Sequence, residues 1–348
     1  MRRVNPILRA EERGDMRRLI WMCLVGATIW CLWWAGASTF LRGGVETWIA
    51  ARAAEGWQAE VQDIEGGGFP DTLVTQLIEP NFSDPQTAVT FSSSSLRFEA
   101  KAYWPGFARI VLPEDAIQIS TPRGQFDIVM SDGLLKMDLN PGTKLQLREL
   151  AWTAGPWGAT SGPRALASAD SLNLSMTQSD VKESYRFDVS AQSLRPGDIP
   201  RRRLAIPDHW PITFDTLEVD MDVRFDRPWD LRSLEERRPQ PRRIDLHLAE
   251  AAWGDVKINI AAQLDIDELG AASGDLSLQA QNWRDLLILA ETAGLLPSGV
   301  RDQAERALGQ FATLSGNPNT IDVTLTFKDG SMFLGFIPLG TAPQIVLH

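Results

Sequence analysis

The sequence predicts a mainly β protein on a single N-terminal membrane helix. The expected body is a large antiparallel sheet, curved into a groove or paired as a sandwich, with a helical hairpin inserted near its C-terminal end. Three observations carry that expectation. Leu19 to Leu41 contains no charged residue, apolar residues recur at every second position in short runs from about Val61, and the period becomes helical between Asn282 and Leu314. With 348 residues, 44% of them hydrophobic, the chain can bury a sizeable core, which excludes wholesale disorder.

Residues 1–18 form a basic tail and 19–41 the apolar run, whose 23 residues span about 35 Å at ~1.5 Å per residue, enough to cross a ~30 Å hydrocarbon core with some tilt. Arg9, Arg13, Arg17 and Arg18 precede the run, while Arg42 and then Glu46 follow it. The positive-inside bias therefore puts the N-terminus in the cytoplasm and the main domain in the periplasm, on a single-pass inner-membrane anchor. Ala35-Gly36-Ala37 before Ser38 also fits a signal-peptide cleavage site, but the run exceeds the usual ~7–15 residue core and bulky Trp33 and Trp34 adjoin the site, so an uncleaved anchor is expected. Cys23, Ala27, Cys31 and Ala35 fall every four residues and form a candidate helix-packing face for a membrane-protein partner. Both cysteines of the chain lie in the run, so no disulfide staples the exported part.

Val45, Trp48, Ile49 and Ala53 keep helical spacing and make 42–60 a connecting helix. Residues 61–281 read as strands with one dry face. The clearest run is Leu217, Val219, Met221, Val223 and Phe225, between which Glu218, Asp220, Asp222 and Arg224 are all charged. Pro122-Arg123-Gly124, Ser131-Asp132-Gly133, Asn140-Pro141-Gly142 and Lys328-Asp329-Gly330 supply turn chemistry between runs, and two stretches, 154–169 and 195–211, read as loops. In 282–315, Asn282 is placed to cap a helix bearing Trp283, Leu286, Leu287 and Ala290; Gly294 ends it, and Ser298 starts a second bearing Val300, Ala304, Leu308 and Phe311. Residues 316–348 close the sheet through Ile321, Val323, Leu325 and Phe327.

Catalytic signatures are sparse. The three histidines are His209, His247 and His348, too few for a histidine-rich metal site, and the exported part has no cysteine, so no cofactor or metal is expected. Gly66-Gly67-Gly68 runs into Phe69-Pro70 and reads as a turn rather than a phosphate loop, and no GxSxG elbow occurs. Asp220 and Asp222 share a strand face but read as solvated sheet surface. The first 41 residues hold six Arg against three acids while the whole chain carries −11, so the remainder is more acidic still and should repel nucleic acid. Arg201, Arg202 and Arg203, and Arg237, Arg238, Arg242 and Arg243, could dock anionic lipid head groups or an acidic partner; the competing reading pairs them with Glu235, Glu236 and Asp208.

The order of features has a likeness. A helix ending near Trp57, then Gly68-Phe69-Pro70, a long β series, the Trp283 helical segment, Asp329-Gly330 and Leu334-Gly335-Phe336-Ile337-Pro338-Leu339-Gly340 together resemble the bacterial family known as domain of unknown function 2125, over nearly the whole chain. The resemblance implies an anchored envelope protein of Gram-negative bacteria and brings no catalytic residue with it. More distantly, the architecture resembles the AsmA-like envelope proteins, whose long sheets form lipid-accommodating grooves. The functional expectation is a non-enzymatic protein that presents an apolar groove, with Phe126, Phe187, Val219, Val223, Ile258 and Leu325 among its members, to membrane lipid or another hydrophobic component. An assembly or scaffolding factor binding membrane or periplasmic proteins is the alternative.

Overall fold

The structure is a computed structural model that describes residues 6–142, 144–203, 206, 210–230, 232–235, 237–292, 299, 301–314, 316–335, 337–342 and 344–347. It begins with α1 (Pro6–Ala54), one helix through all three N-terminal segments that the sequence divides. Gly43 and Gly44 do not break it, because the Arg42–Glu46 ion pair at 2.9 Å and the Thr47 hydroxyl, donating to the Gly43 carbonyl at 2.7 Å, stitch the turn across them. It stops at Gly56, whose φ of 93° lets Trp57 N–H reach the Arg52 carbonyl and Gly56 N–H the Ala53 carbonyl, a Schellman cap.

The strands follow in order: β1 (Gln58–Glu60), β2 (Asp63–Gly67), β3 (Thr72–Ile78), β4 (Asn81–Asp84), β5 (Val89–Ser92), β6 (Ser95–Lys101), β7 (Trp104–Val111) and β8 (Ile117–Thr121). Next come β9 (Gly124–Met130), β10 (Leu134–Leu139), β11 (Leu147–Ala154), β12 (Trp157–Ser161), β13 (Arg164–Ala169), β14 (Ser171–Gln178), β15 (Ser184–Gln192), β16 (Arg195–Pro196) and helix α2 (Asp198–Arg203). After β17 (Thr216–Phe225) and α3 (Arg232–Glu235) the chain continues through β18 (Pro241–Trp253), β19 (Val256–Ile266) and β20 (Ala272–Gln281). Helices α4 (Trp283–Thr292) and α5 (Arg301–Leu314) precede β21 (Thr320–Lys328), β22 (Ser331–Leu334) and β23 (Ile337–Thr341).

Every pairing is antiparallel, in two sheets. Eight strands are ordered β1-β4-β5-β8-β9-β12-β13-β16, and fifteen are ordered β2-β3-β6-β7-β10-β11-β14-β15-β17-β18-β19-β20-β21-β22-β23. Up to β16, the crossings from one sheet to the other are bends within nearly continuous strands, except that β7 and β8 are joined through residues 112–116. The bends lie side by side and bond to one another: Glu79 N–H to Ser94 O, Leu112 N–H to Gly133 O, Gly155 N–H to Ser131 O and Asp170 N–H to Gln192 O, all within 3.0 Å. Glu79, Asp132 and Ser193 take positive φ at these bends, a conformation L residues adopt only where surroundings demand it. The result is one long meander folded over along a crease. Ile117, Met130 and Ala154 are buried inside it, and Phe91 and Ile128 of the small sheet and Trp152 and Leu172 of the large one pack against them.

Several expectations change here. Ser131-Asp132-Gly133 bends a strand between sheets rather than reversing it. Residues 154–169, expected as a loop, form β12 and β13, whose Gly158, Ala159, Ala165 and Ala167 are too small to show an alternation and become strand through their pairing. The second expected loop contains β16 and α2. Asn282 does not cap by accepting: its φ is 55° and its side-chain amide donates to the Asp255 carbonyl at 2.6 Å. Gly294, Ser298 and Val300 lie outside the described residues, as do His209 and His348.

A compact protein of 38.6 kDa would expose about 14,000 Å², whereas this one exposes 21909 Å². The helix, exposed from Leu19 to Ile29, contributes to the excess.

Candidate functional site

Because successive side chains on a strand alternate faces, the pairing register determines which residues share a face across the large sheet. One cross-strand line runs Phe98, Ile110, Leu135, Trp152, Leu174, Val189, Val219, Ala249, Ile260, Leu278, Val323, apolar on eleven successive strands. The neighbouring line runs Leu73, Ala100, Ala108, Met137, Leu150, Met176, Phe187, Met221, Leu246, Ala262, Leu276, Leu325, Leu334, apolar on thirteen. At ~4.8 Å per strand the second line is about 58 Å long.

A single bulge keeps these lines in phase. Before it β18 points Ile244 and Leu246 inward, after it Ala249, Ala251 and Trp253, and the register gains one residue between Leu246 and Ala249. The extra residue leaves exposed His247 on the wet face, where Nε2 lies 2.8 Å from Asp222. That face is ionic: Arg186 pairs with Asp220 at 2.5 Å, and the Asp220 charge, then those of Asp188 and Asp222, hold its guanidinium above the usual arginine range.

The margins of the dry face are covered. Leu286 and Leu289 of α4 lie on Ile258 and Trp253, and Trp283, Leu287 and Leu308 on Ala280 and Ile321. Ala342 and Ile345 pack against Leu264, Ile266 and Phe327 at the opposite flank. Over the middle strands, Trp229 meets Val223, Phe225 and Tyr185. The Tyr185 hydroxyl, 0% exposed, donates to the Leu147 carbonyl at 3.3 Å and accepts from the Trp229 N–H at 3.1 Å and from Gln178 at 3.2 Å. Burial pushes its phenol above the usual range. Between these patches Leu174, Val189, Val219, Ile260 and Leu278 stay half-buried.

The structure distributes the six candidate groove residues. Phe187 and Leu325 stand in the longer line and Val219 in the shorter. Val223 is 5% exposed within the Tyr185 cluster, Ile258 lies beneath α4, and Phe126 belongs to the small sheet, opposite Ile119. Cys23, Ala27, Cys31 and Ala35 are all exposed. The arginines form two separate groups. Arg201 donates to the Pro211 carbonyl beside Trp253, while Arg242 donates to the Asp267 carbonyl at the other end of β18, about 36 Å away at ~3.3 Å per residue. Arg202 is held by the Asp198 carbonyl; Arg203 is exposed on α2. Arg237 pairs with Asp226, and Arg243 with Asp245 and Asp265, which raise its pKa; Arg238 also has a partner. The side chains of Glu235, Glu236 and Asp208 lie outside the described residues. Among the described residues no group of three or more His, Cys, Asp or Glu is arranged to hold a metal ion.

The sequence reading missed the junction of α1 with the sheet. The indole N–H groups of Trp30, Trp33 and Trp34 donate to the carbonyls of Pro70, Ala102 and Thr72 at 2.9, 3.0 and 2.9 Å. Trp34 also meets Phe69 edge-on at 5.3 Å, and Trp48 meets Phe82 at 5.6 Å. The signal available was the crowding of tryptophan into the second half of the apolar run.

Fold and site thus define a class: a folded β meander with a continuous dry stripe, carried on one helix long and apolar enough to span a membrane. The family model described as "Uncharacterized protein conserved in bacteria (DUF2125)" matches residues 34–343, and the chain belongs to that family. Comparison with curated proteins finds no match.

Proposed function

We propose that this protein is a membrane-anchored, non-catalytic holder of lipid or another hydrophobic component of the bacterial envelope, with its β body in the periplasm. The single observation that carries the reading is the pair of unbroken apolar lines, whose middle residues Leu174, Val189, Val219, Ile260 and Leu278 are only half-buried. Apolar area left open costs ~25 cal/mol per Å² against a covered state, so so long a stripe is stabilised by an occupant with hydrocarbon to bury. The arginine excess before the apolar run supports the periplasmic placement. Replacing Val219 or Phe187 with a photoreactive benzophenone amino acid and irradiating the full chain in its native membrane tests the proposal. Lipid adducts on the intact protein are expected from both positions. Protein adducts alone, or none, would overturn the lipid reading, and protein adducts would turn it towards a scaffold.

A further inference from the structure

The dry face begins beside α1, next to a cavity. A cavity of about 490 Å³ separates the helix from the first strands, lined by Leu32, Gly36, Ala37 and Phe40 on one side and by Leu73 and Ala102 on the other, with no charged residue in its wall. The gap has a structural cause. Three indoles reach across to backbone carbonyls and hold the helix off the sheet, while the residues following them, Gly36 and Ala37, are too small to fill the space. A Cβ at Gly36 would meet nothing within 4 Å. Leu73, in the cavity wall, is also the first residue of the longer apolar line, so the cavity adjoins the end of that line.

The helix fixes the depth of this cavity. Leu19 to Ile29, continuous with the docked part, are exposed on all sides. From Arg18 to Trp34 the helix covers about 24 Å, less than a ~30 Å hydrocarbon core, so a bilayer around it draws the turns beside Trp30–Trp34 down to its surface. Those turns carry Phe69 and Tyr103, 56% and 69% exposed, aromatic rings of the kind that settle at a lipid–water interface. Immediately behind them the Lys101–Asp71 ion pair, at 3.2 Å, marks the polar level.

We propose that this cavity is the inlet through which one acyl chain of a bilayer glycerophospholipid passes from the leaflet on the domain's side onto the apolar lines of the sheet. The proposal rests on the lipid-holding reading and adds where the groove is filled and from what source. The test reconstitutes the full chain in phosphatidylethanolamine–phosphatidylglycerol vesicles containing a trace of phospholipid with a diazirine in its acyl chain. After irradiation, adducts are mapped to peptides carrying Leu73 and Ala102 and to those carrying Phe187 and Val219. Wild type and Gly36→Ala should label both regions. Gly36→Leu and Ala37→Leu, which fill the cavity without meeting backbone at Gly36, should lower labelling in both regions about tenfold, the effect of displacing about two buried methylenes. Circular dichroism checks that the variants fold. Labelling at Phe187 and Val219 that is insensitive to both leucine variants, or that occurs without labelling at Leu73 and Ala102, overturns the inlet and leaves the groove standing. No labelling in either region overturns both.

Discussion

Val219 and Val223 point to the same face of one strand, yet the structure gives them different surroundings. Val223, 5% exposed, is enclosed by Met176, Tyr185 and Phe225, whereas Val219 is only half-buried in the middle of the stripe. Truncation to alanine removes about two methylenes at ~0.8 kcal/mol each. At Val223 the surrounding cluster relaxes only partly, so a cavity term adds and Val223→Ala should cost about 2 kcal/mol. At Val219 about half the transfer term applies and no closed cavity forms, so Val219→Ala should cost about 0.8 kcal/mol. For a chain of this size each kcal/mol moves the midpoint by roughly 2 °C, giving shifts of about 4 and under 2 °C. Thermal unfolding of the delipidated full chain in detergent, followed by far-UV circular dichroism, measures both. Equal losses at the two positions would mean that Val219 is enclosed as tightly as Val223, and the open stripe would not exist.

Four further outcomes follow from named contacts. Tyr185→Phe strands the Trp229 N–H and the Leu147 carbonyl in a buried site and should cost about 2 kcal/mol in urea unfolding; a loss below about 0.5 kcal/mol would show the hydroxyl network to be absent. Deleting His247 removes the extra residue of the β18 bulge and leaves Leu246 and Ala249 two positions apart, both on the dry face of a regular strand, so the variant should keep cooperative unfolding, as should His247→Ala; loss of cooperativity in the deletion would refute this register. A Cβ on Gly66 would lie 3.7 Å from the Ser38 hydroxyl oxygen, so Ser38→Cys with Gly66→Cys, in a chain lacking Cys23 and Cys31, should close a disulfide under mild oxidation; a chain that stays reduced would refute the docking of α1. Hydrogen bonding to Lys101, and then its charge, hold the Asp71 carboxyl below its ordinary value. The contact therefore favours the folded state at pH above the ordinary carboxylate value and fades as pH falls through the lowered folded value; carbon-detected NMR of Lys101→Ala should show Asp71 titrating back upward.

The runs around Val219, Ile258 and Leu325 were legible because a half-buried strand must alternate. β12 and β13 were not, since alanine, glycine and serine carry almost no transfer energy to alternate. The same limit hid the crease. Ser131-Asp132-Gly133 has the chemistry of a reversal, and only the neighbouring strand, bonding Ser131 N–H to Pro156 O, makes it a bend between sheets. Of the candidate site, membership of a dry face could be read from Phe187 or Val223, but not whether anything lies over it. For the arginines, number and clustering were visible, and Asp245 stands two residues from Arg243 on the same strand, whereas the partners Asp226 and Asp265 come from other strands or turns.

Local properties were settled by the chain itself: the uncharged run, the wet and dry sides of each strand, and the positive-φ Asp329-Gly330 hairpin, because each depends on residues within a few positions of one another. Registration was decided by the folded molecule. Whether thirteen dry positions fall into one line, and whether Trp30, Trp33 and Trp34 find carbonyls at Pro70, Ala102 and Thr72, depends on a bulge at His247 and on bends far apart in sequence. Side-chain period fixes which way a residue points, and only pairing fixes what stands beside it.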